Sequence, residues 1–362
     1  MFLVWIACGV AIAYQLFAIF ACLRYRSRRF ALSRATPPVS ILKPVYGRDE
    51  AFWEAIRSHA ELDYPSYEVL FGVRSMSDPA VEDIQRLIRE HPQRDIRLIL
   101  VTTRPPNGKA GALIDMEREA RYPIIVMNDS DIKVEPDYLL RIAAPLEDPG
   151  CGIVTCPYRA AASSVAGKWE SVGIGTDFIP STLVAPLVGV KEYGLGSTLC
   201  FRREDLHAIG GFEAVGDYIA DDYQLAKRIT GLGKRAELSV TVETHLGAPS
   251  WAAVWKHQLR WARTIRTSRP DGYAGLPVTH AGLWALLALA TGLWPLAAVT
   301  AIVRMFTGVA AGAGVAAAVL APLWDLWAFV VWINAWLSRD VEWRGEKIQL
   351  TPDGRMVRAV SR

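Results

Sequence analysis

Two aspartates separated by one residue follow a short apolar run in the middle of the chain. The run 124–127 (Ile-Ile-Val-Met) is typical of a buried strand, and Asp129 and Asp131 follow it closely. Carboxylate oxygens are ligands that Mg²⁺ and Mn²⁺ prefer. A divalent cation held there could neutralise a diphosphate leaving group. An Asp- and Ser-rich turn that caps a helix accounts for the same residues equally well, so both interpretations stay open.

Two further segments could complete such a site. Lys109 lies in a Gly-rich stretch that opens a predicted helix, where the backbone can approach a ligand and the helix N-terminus attracts anions. A simple loop-to-helix turn is the alternative. Asp221 and Asp222 begin another predicted helix, where acidic residues complement the helix dipole. Asp222 is alternatively a general base for an attacking hydroxyl. The segment 194–203 is typical of a tight turn into a strand that could line a pocket.

Strands alternate with helices in the part of the chain that must position these residues. The pattern predicts strands near 39–45, 67–73, 96–101 and 124–127, separated by helices. It predicts a mostly parallel sheet with helices on both faces, in which ligands bind beyond the carboxyl ends of the strands. No Gly-x-Gly-x-x-Gly turn follows the first strand, which argues against a dinucleotide-dependent oxidoreductase.

An uncharged run at 2–23 precedes this region and is long enough to cross a bilayer. The basic cluster comes after the run and no cleavage site follows, which argues against a signal peptide. The positive-inside rule places the cluster in the cytoplasm. It consists of Arg24, Arg26, Arg28 and Arg29.

Further apolar runs follow near the C-terminus. They predict a span at 281–303, a short loop around 304–307 and a last span that ends at Ser338. One span in this last stretch gives three in all and would return the basic tail to the cytoplasm, whereas two spans there would place the tail outside. Asp325, inside the last span, is either functional or makes a hydrogen bond in the helix interior.

The residues 250–266 predict an amphipathic helix. Trp251, Val254 and Trp255 fall near one face, while Lys256 and Arg260 are basic. This pattern is typical of a helix that lies on an anionic membrane surface, and a helix packed against the protein core is the alternative.

Composition fits one soluble domain joined to a few membrane segments, because 51% of the 362 residues are hydrophobic and 21% are charged. The net charge of +3 gives no support for nucleic-acid binding. The five cysteines are scattered and odd in number, which predicts reduced thiols rather than a zinc site or a disulfide framework.

A series of motifs covers nearly the whole chain. In order they are Lys43-Pro-Val-x-Gly47, Phe71-Gly-Val, Asp78-Pro-Ala, Asn128-Asp-Ser-Asp-Ile, Ala220-Asp-Asp, His257-Gln-Leu-Arg-Trp-Ala-Arg-Thr-Ile-Arg266, Trp343-Arg-Gly and Pro352-Asp-Gly-Arg-Met. In this order and spacing they resemble the inverting, membrane-bound glycosyltransferases of the ceramide glucosyltransferase type, in the GT-A family 2/21-like group. The hopanoid-biosynthesis-associated branch is the most similar.

The resemblance implies an α/β fold of the GT-A type. A Rossmann-like, mostly parallel sheet would face the cytoplasm of a bacterium, with transmembrane helices at both ends anchoring it in the inner membrane. The expected division is a membrane anchor at 1–24, a glycosyltransferase domain at 36–249, an interfacial helix at 250–275, transmembrane helices at 280–338 and a cytoplasmic tail at 339–362.

The same resemblance implies roles for individual residues. Asp129 and Asp131 would hold Mn²⁺ or Mg²⁺ with the donor diphosphate, His245 would be a third metal ligand, and Asp222 would be the catalytic base. The implied donor-binding residues are Lys43, Asp78, Lys109, Asp129, His257, Arg260 and Trp261. The alternative for Asp78 is that it caps the helix that starts at Pro79. His257 departs from the family motif, which begins with Gln or Arg.

The implied reaction transfers a single sugar, glucose or N-acetylglucosamine, from a UDP-sugar to a hydroxyl of a membrane lipid, either ceramide or a hopanoid polyol. Ser75 and Ser77 stand where the family usually has acids, which bears on uridine recognition. The alternatives are a processive polysaccharide synthase and a non-catalytic membrane scaffold with a degenerate donor site.

Overall fold

The computed structural model describes residues 1–343 and 345–358. Arg344 and residues 359–362 of the predicted tail lie outside the described residues. The helices, in chain order, are α1 (Phe2–Ser27), α2 (Phe52–Ala60), α3 (Ala80–Glu90), α4 (Gly108–Glu119), α5 (Tyr138–Ala143), α6 (Val165–Gly173), α7 (Ile179–Val184), α8 (Arg203–Ala208), α9 (Asp221–Gly231), α10 (Trp251–Ser268), α11 (Pro270–Gly275), α12 (Ala281–Ala290), α13 (Trp294–Ala310) and α14 (Val315–Leu337).

The strands of the described residues are short and are grouped in three sheets. They are β1 (Val39–Pro44), β2 (Tyr67–Val73), β3 (Asp95–Leu100), β4 (Ile124–Met127), β5 (Ile132–Lys133), β6 (Cys151–Thr155), β7 (Tyr158–Ala161), β8 (Leu199–Arg202), β9 (Arg235–Leu238), β10 (Val242–His245), β11 (Asp340–Trp343), β12 (Glu346–Leu350) and β13 (Met356–Arg358).

The chain forms two compact units. The sheet unit comprises Arg29–Arg159 and Lys191–Gly247, and the helical unit comprises Met1–Arg28, Ala160–Val190 and the chain from Ala248 onward. This division differs from the one expected from the sequence, because residues 160–190 leave the predicted 36–249 domain and join the helical unit.

The sheet unit is built on seven strands in the order β3-β2-β1-β4-β8-β6-β9. Strands β1 to β4 are mutually parallel, and β8 runs antiparallel to both of its neighbours. One face packs on α2, α3 and α5 through residues such as Ile56 and Leu87, and the other packs on α4 and α9 through Leu113 and Leu225. The predicted mostly parallel sheet with helices on both faces is confirmed.

The helical unit contains helices that have the length and composition of membrane spans. Within the described residues these are α1, the run Val165–Val188 and α14. The 26 residues of α1 extend about 39 Å, more than the thickness of a hydrocarbon core. The run Val165–Val188 includes α6, a π-helical turn at Ile174–Phe178 and α7. The sequence analysis missed this run, since three charged residues interrupt it.

The structure corrects the predicted boundaries nearer the C-terminus. The apolar run 281–303 is divided between α12 and α13, because the chain turns at Gly292 with a φ of 79°. The expected loop at 304–307 lies inside α13. Helix α12 also follows Pro270–Thr279 with a bend of 49°, so that pair is a candidate for one broken span.

The predicted amphipathic helix forms, but its apolar face is largely occupied by protein. Trp255, Leu259 and Ala262 of α10 pack with Val331 and Ala335 of α14. Two other apolar residues of α10 remain about half exposed, Trp251 at 50% and Ile265 at 46%. The core-packing alternative therefore accounts for much of this helix.

Asp325 belongs to a buried ion pair. Its carboxylate accepts hydrogen bonds from Arg304 Nη2 at 2.7 Å and from the backbone N of Gly282 at 2.8 Å. Arg304 Nη1 also donates to Thr176 O at 2.7 Å, in the π-helical turn. Both side chains are at most 2% exposed. The structure thus supports the structural role of Asp325, in which one ion pair joins α12, α13, α14 and the run Val165–Val188.

We expect Asp325→Ala to destabilise the helical unit by about 3–5 kcal/mol, because Arg304 would keep a buried charge without its counter-ion. The thermal unfolding midpoint in detergent measures this effect. The double variant Arg304→Leu/Asp325→Leu removes both charges and is expected to recover much of the loss. A midpoint unchanged in Asp325→Ala would contradict the burial of this pair.

Candidate active site

A buried lysine holds the loop that follows β4. Lys43 on β1 donates to Asn128 Oδ1 and, at 2.9 Å, to the backbone oxygen of Asp129. Asn128 in turn donates to Ser197 O at 2.7 Å. Burial lowers the pKa of Lys43 to about 7, with Asp131 and Asp129 acting in the opposite direction. The sequence implied a donor contact for Lys43, but the structure buries it completely beneath the loop, where it positions Asp129.

Replacing this lysine by methionine tests that role. We expect Lys43→Met to lower stability by about 1–3 kcal/mol, because Asn128 and the Asp129 carbonyl would lose a buried donor. Thermal unfolding in detergent measures the loss. Lys133→Met is the matched control, since Lys133 is 54% exposed and pairs with Glu243 at the surface. Equal midpoints for the two variants would contradict the role assigned to Lys43.

The two aspartates predicted to bind metal lie beside each other at the end of β4. Asp131 Oδ2 accepts a hydrogen bond from Thr244 Oγ1 at 2.6 Å. Burial raises the pKa of Asp131, and the nearby charge of Asp129 raises it further. A divalent cation would relieve this repulsion, so the pair fits a hard metal ion.

His245 lies close enough in the fold to be considered with this pair. Strand β10 pairs antiparallel with β5, and Thr244 stands opposite Ile132. Continuing that register by one residue sets His245 opposite Asp131. His245 Nδ1 accepts a hydrogen bond from Gly247 N at 3.1 Å, so Nε2 is the ring nitrogen left for a metal. No cage of three or more His, Cys, Asp or Glu side chains is preassembled within the part of the chain that the structure describes.

Three charged side chains meet around Gly196. A Cβ atom at this glycine would lie 3.1 Å from Asp129 Oδ2, 3.3 Å from Lys109 Nζ and 3.4 Å from Asp222 Oδ2. Lys109 Nζ also contacts Asp129 Oδ1 at 2.5 Å. The structure therefore brings together residues from three separate motifs, at the carboxyl end of β4 and at the starts of α4 and α9. The sequence analysis singled out the segment 194–203 as a turn into a strand but gave no sign that Gly196 lies among these charges.

Lys109 is positioned by the cap of its helix. Asn107 Oδ1 accepts from Lys109 N at 2.8 Å, and Asn107 Nδ2 donates to Asp221 Oδ1 at 3.3 Å. Burial acts to lower the pKa of Lys109, but Asp129, Asp221 and Asp222 outweigh it and raise the pKa. Lys109 is therefore a cation at neutral pH, suited to an anionic ligand.

Asp222 has the properties of a base. Its Oδ1 accepts from Tyr223 N at 2.7 Å, which fixes the carboxylate at the start of α9. Burial raises its pKa to about 7, and the adjacent charge of Asp221 contributes. A carboxylate in this range is basic enough to take a proton near neutral pH.

The segment after β2 departs from the acidic pattern that the family usually has there. The Asp78 carboxylate accepts hydrogen bonds from Gly47 N and Ala80 N, each at 2.9 Å. It therefore caps the start of α3 and holds a turn, so its oxygens are already engaged and are not open to a nucleotide-sugar. Ser75 and Ser77 are exposed, and their hydroxyls bond each other at 2.7 Å.

Arg74 contacts the first residue of α4. A Cβ atom at Gly108 would lie 1.9 Å from Arg74 Nη2, so only glycine allows this approach. The guanidinium therefore lies at the N-terminus of the helix that carries Lys109. The sequence analysis did not single out Arg74, because a lone arginine after a strand has no distinctive pattern.

The remaining predicted donor residues belong to the helical unit. His257, Arg260 and Trp261 all lie on α10. The rings of His257 and Trp261 have centroids 4.5 Å apart, and His257 Nδ1 lies 2.6 Å from Glu170 Oε1. Arg260 lines a cleft of about 230 Å³ with Lys256 and Arg263.

The model of glycosyl transferase family 21 matches residues 3–356. The chain belongs to this family. The ceramide glucosyltransferase-type family expected from the sequence is thereby confirmed, while the hopanoid-associated branch stays a prediction.

Two curated proteins that this family 21 chain resembles act on lipids according to their names. Ceramide glucosyltransferase 1 of Caenorhabditis elegans is 31% identical over 208 residues, which is 56% of this chain and 44% of the relative. Beta-monoglucosyldiacylglycerol synthase of Synechocystis sp. is 22% identical over 234 residues, which is 62% of this chain and 47% of the relative. The chain spans about half the length of these relatives.

A solved structure supports the fold of the family 21 chain. A mannosyltransferase from Pyrobaculum calidifontis, in complex with GDP-Man and Mn²⁺, superposes with a TM-score of 0.56 at 22% identity. The match covers 91% of this chain and 98% of that one. The GT-A fold expected from the sequence is thereby confirmed.

Proposed function

We propose that this chain is an inverting, metal-dependent glycosyltransferase that moves one sugar from a nucleotide-sugar to a hydroxyl of a membrane lipid. The observation that carries the proposal is the convergence of Lys109, Asp129 and Asp222 around Gly196. Such a site offers a cation for a diphosphate, a carboxylate for a metal and a base for a hydroxyl, all within one small volume.

The acceptor is inferred from the helices and the relatives. Helices of membrane-spanning length and composition occur at both ends of the chain, and the curated relatives are a ceramide glucosyltransferase and a glucosyldiacylglycerol synthase. A lipid acceptor that stays in the bilayer fits both observations. We propose the bacterial inner membrane, with the sheet unit in the cytoplasm, on the basis of the basic cluster after α1.

Direct displacement accounts for the roles of the residues. Asp222 takes the proton of the lipid hydroxyl as its oxygen attacks the sugar C1, and the nucleotide diphosphate leaves from the opposite side. One displacement inverts the anomeric centre. Lys109 supplies positive charge toward the diphosphate, and Asp129 and Asp131 would hold Mn²⁺ or Mg²⁺, with His245 as a further ligand. When bound, the metal acts as a Lewis acid that stabilises the developing charge.

We propose a UDP-sugar, with glucose or N-acetylglucosamine, from the family assignment. The hydroxyls of Ser75 and Ser77 occupy positions where carboxylates were expected, and the mannosyltransferase with the same fold was solved with GDP-Man. Both nucleotides therefore belong in the test.

A transfer assay in detergent micelles tests the proposal. Labelled UDP-glucose, UDP-N-acetylglucosamine and GDP-mannose are each combined with ceramide, a hopanoid polyol and diacylglycerol, with Mn²⁺, with Mg²⁺ or with EDTA. We expect one single-sugar glycolipid that forms only with metal. A polymeric product would favour a processive synthase. Absence of both transfer and nucleotide binding would favour a non-catalytic scaffold.

The raised pKa of Asp222 predicts the pH dependence of turnover. A general base works only when deprotonated, so kcat is expected to rise with pH through about 7 and to level off above it. The measurement is kcat at saturating donor and lipid between about pH 5.5 and 8.5. A kcat that is flat across this range would contradict the assignment of Asp222 as the base.

A further inference from the structure

The run Val165–Val188 begins and ends close in sequence to the sheet unit. The chain leaves that unit after Arg159 and re-enters it at Lys191. Six positions before the run span at most about 22 Å, and three positions after it span at most about 11 Å. Both reaches are shorter than a hydrocarbon core of about 30 Å. Because the sheet unit is one compact body on one side of the bilayer, the run returns to the side from which it started and does not cross.

The side chains of the run also fit a helix that lies along the membrane surface. Asp177 is near the middle of its 24 residues, so a span would hold this carboxylate near the bilayer centre, where charge is unfavourable. Lys168 is exposed, and so are the apolar residues Val165 and Val188 at the two ends. A helix in the membrane plane keeps charged groups at the headgroups while its apolar groups contact acyl chains.

A tryptophan of α14 holds a carboxylate at a fixed place on this run. Asp177 lies in the π-helical turn Ile174–Phe178, and turns of this kind are frequent at functional sites. Trp324 packs so closely on the run that a Cβ atom at Gly173 would lie 2.0 Å from its ring. Trp324 Nε1 donates to Asp177 Oδ2 at 3.3 Å. Within the described residues the carboxylate accepts no other hydrogen bond, so Oδ1 can accept one from a ligand.

The groups around Asp177 suit a neutral ligand with hydroxyls. Arg304 Nη1 donates to the backbone oxygen of Thr176, next to Asp177, but the charge of Arg304 is paired with Asp325. In the part of the chain that the structure describes, Asp177 forms no ion pair of its own. Ser181 lies four positions later on the same side of the helix. Its hydroxyl oxygen is 3.3 Å from that of Tyr14, and both side chains are partly exposed, as is Asp177.

We propose that Asp177 accepts a hydrogen bond from a hydroxyl in the headgroup of a neutral membrane lipid, at a site on the run Val165–Val188 along the membrane surface. The site belongs to the helical unit alone. The inference rests on the proposed function for the class of lipid, since a lipid that accepts a sugar must carry a free hydroxyl. Lipid binding itself can be measured whether or not a sugar is transferred.

The charge of Asp177 selects against anionic lipids. A hydrogen bond from a hydroxyl to a carboxylate is roughly twice as strong as one between neutral groups. A phosphate would instead be repelled, because Lys168, the cation of this run, lies nine positions earlier, about 13 Å along the helix. The hydroxyls of Ser181 and Tyr14 can donate to a second lipid oxygen or accept from it. Diacylglycerol should therefore bind more tightly than phosphatidylglycerol.

Lipid binding to the full chain in nanodiscs of phosphatidylcholine tests the site. A diacylglycerol with a diazirine near its headgroup is crosslinked to the protein, and unlabelled lipids compete with it. We expect label on the peptide that contains Asp177, and diacylglycerol to compete at a concentration about 10-fold lower than phosphatidylglycerol. In Asp177→Asn, diacylglycerol should compete about 5-fold less well, and the preference between the two lipids should be largely lost.

The ratio between the two lipids separates binding from a structural role. Asp177→Asn keeps an acceptor for Trp324 Nε1, so its thermal unfolding midpoint should stay near that of the wild type. Asp271→Asn, at an exposed carboxylate of α11, is the matched control and should keep the wild-type ratio. An unchanged ratio in Asp177→Asn would overturn the inference, and so would phosphatidylethanolamine competing better than diacylglycerol. If diacylglycerol binds as expected but no lipid receives a sugar, the proposed function fails and the lipid site stands.

Cysteine labelling tests the position of the run in the membrane. All five native cysteines are buried, so a membrane-impermeant maleimide should react mainly with introduced ones. Val165→Cys and Val188→Cys mark the two ends of the run, and Leu232→Cys, at an exposed residue, marks the side of the sheet unit. We expect all three to be labelled from the same side of sealed vesicles. Labelling of Val188→Cys from the opposite side, or only after detergent is added, would overturn the inference.

Discussion

Asp222→Asn is expected to lower kcat for sugar transfer by about 10³-fold while nucleotide-sugar binding is retained. The asparagine has nearly the same shape, and its side-chain oxygen can still accept the hydrogen bond of Tyr223 N. It cannot accept the proton of the lipid hydroxyl, so the loss falls on the chemical step. Its neutral side chain also reduces the negative charge near Lys109, which does not disfavour an anionic donor.

Two measurements are needed to test Asp222→Asn. Steady-state kinetics in micelles gives kcat, and calorimetry with the nucleotide gives donor affinity. Asp137→Asn is the matched control in the same unit, because Asp137, the residue before α5, forms a 2.5 Å ion pair with Arg141 of that helix. We expect the control to keep its activity. A fully active Asp222→Asn would require a different base.

The fold was predictable because its signals are local. Buried strands of four to seven residues alternate with amphipathic helices, and this alternation alone implies parallel strands with helices on both faces. The rule that ligands bind beyond the carboxyl ends of such strands then led to Asp129. The structure brings Asp129, Lys109 and Asp222 together as that rule suggests, although their roles stay predictions.

What the sequence did not predict depends on contacts between distant segments. The sequence analysis interpreted Lys43 as a residue that binds the sugar donor. Its burial was not predictable, because it follows from the position of β1 between β2 and β4 in the sheet. The run Val165–Val188 contains Lys168, Glu170 and Asp177, so a search for uncharged segments does not find it, although its composition is that of a membrane span. The contact of Glu170 with His257 likewise joins residues that lie 87 positions apart in the chain.

Gly196→Ala should lower transfer by about 100-fold or more, although the change adds only one methyl group. That methyl carbon would lie 3.1 Å from Asp129 Oδ2 and 3.3 Å from Lys109 Nζ, both closer than ordinary van der Waals contact, and 3.4 Å from Asp222 Oδ2, at ordinary contact distance. Asp129 and Lys109 would have to move by a few tenths of an ångström, and the methyl group would take space among the groups proposed to meet the sugar diphosphate and the lipid hydroxyl. Small misplacements of reacting groups cost about 10²-fold in rate.

The matched control for Gly196→Ala is Gly231→Ala in the same unit. A Cβ atom at Gly231, the last residue of α9, meets nothing within 4 Å. We expect both variants to unfold near the wild-type temperature, and Gly231→Ala to keep its turnover. Loss of activity in Gly196→Ala at unchanged stability would then report on the space between the three charged groups. Wild-type kcat and donor KM in Gly196→Ala would mean that the reaction takes place away from this convergence, and the assignment of Asp129, Lys109 and Asp222 to one active site would be wrong.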